Sequence, residues 1–255
     1  LVGSEMCIRD SFNKYGYPAL KLNHPNLEDS WLNKCRILFP ELDSIAKQYS
    51  TYVLYDEIDK DVIRLSKPLK MTDGKSLLFN KYYEINEDSP ELCAILNLLF
   101  GSSSLLSYIK PFKEKHYHNL FNLLNNEDVY YENYEDYKRP NIDFLVSHNV
   151  IEKSENGQLS IPSNDLKIIL KSLWEYRVCS YWHHSEKGMK YLDEMVDKGW
   201  LIKSDNLLTK EEKRYFSYYM DNGEFTNGFA YRNLYAHGCI ISEDDTEKHH
   251  IAYLV

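Results

Sequence analysis

The chain reads as a mainly α protein: a helical N-terminal region carrying one small β-hairpin, followed by a C-terminal helical bundle. Apolar residues recur at helical spacing, as in Leu92, Ile95, Leu96 and Leu99, and again in Leu166, Ile169, Leu170 and Leu173. Helix-start signals precede such runs, as at Ser89-Pro90 and Thr209-Lys-Glu-Glu212. A single pair of short runs, 150–153 and 158–161, flanks the turn Ser154-Glu-Asn-Gly157 and reads as a hairpin.

Residues 1–10, Leu1-Val-Gly-Ser-Glu-Met-Cys-Ile-Arg-Asp10, look like a translated sequencing adapter and are set aside as a scar. On that reading the true start is missing. Residues 248–255 read as the opening of an apolar helix that stops, so the chain is expected to be a piece of a longer protein. The expected divisions are a helical domain over 11–134, a small helix-hairpin subdomain resembling the tail of a winged helix over 135–162, and the helical bundle over 163–255.

With 255 residues and 43% hydrophobic content the chain can bury a sizeable core. A net charge of -9 argues against a broadly basic surface that coats nucleic acid, while leaving room for a local basic cleft. No apolar run reaches the length of a membrane span. Cys35, Cys93, Cys179 and Cys239 are isolated, without a CxxC pair, which suits reduced thiols in a cytoplasmic protein.

Taken in order, 31–39 and 41–52 read as two helices, with Pro40 in the first turn of the second. Residues 55–83 suggest short helices with a possible hairpin, interrupted by Pro68 and a turn at Asp73-Gly74. The acidic residues there lack the spacing of a calcium loop, so a solvated face is expected. Residues 91–109 predict two helices broken at Gly101-Ser-Ser-Ser104. Three close histidine pairs, 116/118, 183/184 and 249/250, read as exposed positions at helix ends, with no metal expected. The acidic, tyrosine-rich stretch 127–137 reads as a linker, and 141–148 as a short helix before the hairpin. From Ser163 onward, one long helix reaches about 182, a second ends near Gly199, a third runs over 210–221, a motif helix over 228–237, and the last segment begins near 243.

The motif helix holds the spacing that stands apart. In Gly223-Glu-Phe-Thr-Asn-Gly-Phe-Ala-Tyr-Arg-Asn-Leu-Tyr-Ala-His-Gly-Cys239, Asn227 can cap a helix that ends at Gly238. His237 then lies on the last turn, where the helix dipole favours its protonated form. Asn233 shares its face, and Arg232 is within curling reach. Arginine can hold a phosphodiester and stabilise growing negative charge, while histidine exchanges the proton; the purely structural alternative is that Arg232 pairs with a carboxylate and His237 caps the helix.

At Arg232-Asn-Leu-Tyr-Ala-His237-Gly the chain resembles the HEPN superfamily, over roughly residues 163–255. The resemblance implies a bundle that dimerises about the motif helix and cleaves RNA without a metal or other cofactor, with Arg232, His237 and Asn233 as the catalytic group. Tyr235, His249 and His250 are the expected RNA-contacting positions beside it. It also implies an intracellular role in phage defence or a toxin system, with RNA, a second copy and an antitoxin or other protein as partners. The competing reading is a non-catalytic helical interaction or dimerisation module.

Overall fold

The structure is a computed structural model that describes residues 23–56, 60–65, 71–236 and 242–255. The chain forms two compact units, one from the residues up to 77 together with 206–255, the other from 78–205. Each has its own buried cluster. This division differs from the expected 11–134, 135–162 and 163–255: the second unit is inserted within the first, and the helices after 163 are shared between the two.

In the discontinuous unit, helix α1 (Trp31–Tyr55) is capped by Ser30, whose side chain accepts from the Asn33 amide, and ends at Asp56 in the left-handed conformation. Two helices were expected here, and one 25-residue helix runs through Pro40 instead. Proline removes one intrahelical donor. Leu32, Cys35 and Phe39, buried on the turns before it, anchor that part of the helix in the core. After α2 (Lys60–Leu65), the chain leaves this unit and returns at residue 206. Helix α8 (Lys210–Met220; α3–α7 belong to the other unit) starts with the expected capping box. Thr209 accepts from the Glu212 amide at 3.3 Å, and Glu212 accepts from the Thr209 amide at 2.8 Å. Helices α9 (Tyr231–Ala236) and α10 (Thr246–Leu254) pack on α1 around Phe39, Met220, Tyr231, Tyr235 and Ala252.

The inserted unit contains β1 (Tyr82–Ile85), α3 (Pro90–Phe100), α4 (Leu120–Asn126), β2 (Val129–Tyr130), α5 (Arg139–Ser147), β3 (Glu152–Lys153), β4 (Gln158–Ser160), α6 (Asn164–Tyr176), β5 (Val178–Ser180), α7 (Glu186–Asp197) and β6 (Leu201–Ser204). The hairpin expected between 150 and 161 is β3–β4, with Gly157 at φ 83° completing its turn. The stretch 127–137, expected to be a linker, supplies a third strand, β2, and the sheet order is β2-β4-β3. The long helix expected to reach 182 stops at Tyr176 because Arg177 adopts φ 62°, and 178–180 become β5. The second sheet, in the order β5-β1-β6, was not expected: the hairpin suggested over 55–83 did not foresee β1 pairing with strands as distant as 178–180 and 201–204.

These two sheets belong to two copies of one design, offset by fifty residues. Tyr131 and Tyr181 each open a 3-10 turn, and each donates its hydroxyl to the corresponding aspartate: Asp143 at 3.0 Å, Asp193 at 3.1 Å. Ile142 and Leu192 are fully buried on the following helices. Asn149 (φ 60°) and Gly199 (φ 73°) then end those helices identically. The amides of 149 and 199 donate to the carbonyls of 146 and 196, and those of 150 and 200 to the carbonyls of 145 and 195, which is a Schellman cap in both copies. Register repeats as well. Leu159 faces Val129 and Lys153, just as Tyr83 faces Cys179 and Lys203. Both copies therefore run helix, strand, turn and helix and complete an antiparallel three-stranded sheet. The second takes its central strand, β1, from a segment that precedes the first copy.

Candidate functional site around Arg232

The backbone leading into α9 is shaped by one glycine. A Cβ on Gly228 would lie 2.6 Å from the Tyr218 carbonyl oxygen, which forces a bare backbone at that point. Next to it the Phe229 amide donates to that same carbonyl at 2.9 Å, and Ala230 takes φ 51°. An amide committed to α8 and a left-handed residue cannot lie inside a helix, so α9 begins at Tyr231 rather than at 228. Asn227 lies in the preceding turn, not at the cap.

Arg232 falls in the first turn of this short helix, and its guanidinium is held by Asp43 on α1. Nε donates to Oδ1 at 2.7 Å and to Oδ2 at 2.9 Å, and Nη2 donates to Oδ2 at 2.8 Å. The two side chains keep 34% and 36% of their surface exposed. Its hydrogen bonds to the Asp43 carboxylate hold the Arg232 pKa above its ordinary value, so the group is a permanent cation. Asn233 is half-buried beside it. His237 and Gly238 lie outside the described residues.

The three positions expected to touch RNA divide differently. Tyr235 is 4% exposed and stacks on Phe39 with centroids 5.1 Å apart. His249 is 1% exposed; its Nδ1 lies 2.7 Å from the Tyr235 hydroxyl and its Nε2 2.9 Å from the Ser242 carbonyl oxygen. A carbonyl only accepts, so Nε2 donates to Ser242, and with the Tyr235 hydroxyl at Nδ1 both ring nitrogens are hydrogen-bonded. Burial, first of all, pushes the Tyr235 phenol well above its ordinary range. Tyr235 and His249 are thus core residues and offer no surface to a substrate, a correction to the expectation. Their apolar neighbours, Phe39, Tyr231 and Ala252, account for it. His250 is exposed and stacks on Trp31 at 4.3 Å.

Sequence reasoning missed Asp43. It lies 189 positions from its partner, and no local pattern links them. Among the described residues, no group of three His, Cys, Asp or Glu side chains is placed to hold a metal ion, and no helix is long and apolar enough to cross a membrane.

A second polar centre was also missed, in the inserted unit. Asp193 accepts from the Tyr83 hydroxyl at 2.8 Å, from Tyr181 at 3.1 Å and from the Lys203 ammonium at 3.1 Å. Burial pushes its carboxyl up, but the bonds from Tyr83, Lys203 and Tyr181 outweigh this and leave it below the usual carboxylate value. No protein family matches the chain, nor does any curated protein or solved structure.

Proposed function

We propose that the chain is an RNA-acting protein of HEPN type in which Arg232, Asn233 and His237 form a metal-independent cleavage site. The observation that carries this reading is the placement of Arg232: a permanent cation, one third exposed, on the short helix whose sequence continues to His237. The reaction is attack of an RNA 2′-hydroxyl on the adjacent phosphate. His237 takes the hydroxyl proton as the new P–O bond forms, the 5′-oxygen leaves and is protonated, and Arg232 stabilises the charge on the phosphate oxygens. Asn233 orients the phosphate. A role in phage defence or a toxin system, pairing of two copies through α9, and a cytoplasmic location all belong to the same proposal.

The Arg232–Asp43 bond favours a second reading. A guanidinium that already holds a carboxylate ties α9 to α1, which is what a non-catalytic interaction module requires. Incubation of the protein with single-stranded and structured RNA in the presence of a chelator separates the two. Cutting that is lost in Arg232→Ala and His237→Ala supports the enzyme, whereas binding without cutting supports the module.

A further inference from the structure

The two copies share their cores but not the start of their second helix, and the difference concerns chemistry rather than fold. In the second copy, Lys187, Gly188 and Met189 stand where the first has Tyr137, Lys138 and Arg139. The groove beside α7 is bordered by four carboxylates, Glu186, Asp193, Glu194 and Asp197, against one cation, Lys190, a lining that repels phosphate on balance.

In the first copy, cations and aromatic rings gather at the same place. Tyr108 and Tyr137 are 50% and 71% exposed. The Lys113 ammonium lies 4.6 Å from the centre of the Tyr108 ring, and the Lys138 ammonium lies 5.9 Å from it and 5.5 Å from the Tyr137 ring. Lys138 is only 4% exposed, yet its ammonium, which has three protons to donate, has one hydrogen-bond acceptor, the Tyr108 carbonyl at 2.6 Å. A buried cation with spare donors is costly unless an anion approaches.

An anion already does. The Glu135 carboxylate accepts a hydrogen bond from Tyr137 and feels the charges of Lys138, Lys113 and Lys110, and these together hold it below its ordinary value. The neighbouring Arg139 is committed to Asp136 at 2.8 Å and does not add to the free positive charge.

We propose that Tyr108, Lys110, Lys113 and Tyr137 form a binding surface for single-stranded nucleic acid, Lys110 and Lys113 holding backbone phosphates and the two tyrosine rings stacking on bases, with the buried Lys138 ammonium between the rings helping to position them. Lysines alone would suit any polyanion. The pair of exposed rings beside them is what selects a strand with unpaired bases, because every base presents a face to stack. In this arrangement Glu135 occupies the position that a phosphate takes when the strand binds. The surface lies in the inserted unit and stands independently of Arg232 and His237.

The test is fluorescence anisotropy of the full chain with a labelled oligouridylate and its deoxy counterpart at low salt, with circular dichroism confirming that each variant is folded. Replacing Tyr108 and Tyr137 together by Ala is expected to weaken binding at least about tenfold. Lys110→Glu with Lys113→Glu is expected to weaken it and flatten its dependence on salt. The deoxy strand, which the proposed cleavage reaction cannot cut, should bind this surface as the ribo strand does and lose affinity in the same variants, which keeps the two proposals separable. No binding by the wild type, or equal affinity in the double tyrosine variant, overturns the proposal. So does loss in the lysine variant alone with full competition by inorganic polyphosphate, since that marks a general anion surface.

Discussion

The Arg232 guanidinium and the Asp43 carboxylate are joined by three hydrogen bonds of 2.7 to 2.9 Å, and the bond ties the first turn of α9 to the middle of α1. Because both side chains are about one third exposed, solvent screens the pair and its contribution to stability is about 1 kcal/mol or less. Asp43→Asn should therefore leave the fold intact and shift a urea midpoint only slightly. It also releases the guanidinium for a phosphate, so RNA binding or cleavage is expected to rise. A fall in activity without a change in stability would mean that Asp43 orients Arg232 for its substrate rather than competing with it.

His249 and Tyr235 predict a larger effect. His249→Ala leaves the buried Tyr235 hydroxyl without its partner, releases the Ser242 carbonyl, and opens space beside the Tyr235 ring. A loss of about 2 to 4 kcal/mol is expected in equilibrium denaturation, from unmet hydrogen bonds together with the cavity. His250→Ala, at an exposed ring, should cost far less.

The inserted unit should fold alone. Its two ends are paired side by side: Tyr82 faces Ser204 across β1 and β6, and the Asn80 amide donates to Asp205 at 2.5 Å. Its core cluster is drawn only from residues between 83 and 201. Expressed as residues 78–205, it is expected to unfold cooperatively on heating. A non-cooperative transition would contradict the division into two units.

Gly199 and Asn149 hold equivalent left-handed positions, and their substitutions should differ in cost accordingly. Gly199→Ala places a Cβ at φ 73° and is expected to destabilise by about 1 to 2 kcal/mol. Asn149→Gly relaxes the same conformation and should be near neutral. Paired thermal melts decide this, and equal losses at the two sites would contradict the repeat.

Asp193 gives a pH dependence. Its folded-state pKa is depressed, so its contribution is present above the ordinary aspartate value of 3.8 and is lost as pH falls through the lower folded value. The stability difference between wild type and Asp193→Asn should thus be largest near neutrality and narrow below about pH 4. A constant difference across that range would remove the ionised carboxylate from the account.

The helices were legible where a local signal was strong. Thr209 and Glu212 announce α8, Ser89-Pro90 announces α3, and the Ser154–Gly157 turn announces the β3–β4 hairpin. What escaped was set by distance along the chain. Strand β1 becomes a strand only because residues 178–180 and 201–204 meet it, and Val178–Ser180 are too few to show a period of their own. The fifty-residue repeat was hidden because its copies share positions such as Tyr131/Tyr181 and Asp143/Asp193 while differing almost everywhere on the surface. At the candidate site, the sequence pointed to Arg232 but not to Asp43. It placed Tyr235 and His249 at the surface because alternation within a helix cannot tell which face a distant Phe39 will cover.

The most direct measurement is the chemistry of the RNA ends after incubation with the full chain in the presence of a chelator. The account predicts products with 2′,3′-cyclic phosphate and 5′-hydroxyl ends, formed by the wild type, absent with Arg232→Ala and His237→Ala, and absent with 2′-deoxy substrate. Products with 5′-phosphate ends, or cleavage that survives in both variants, would contradict it.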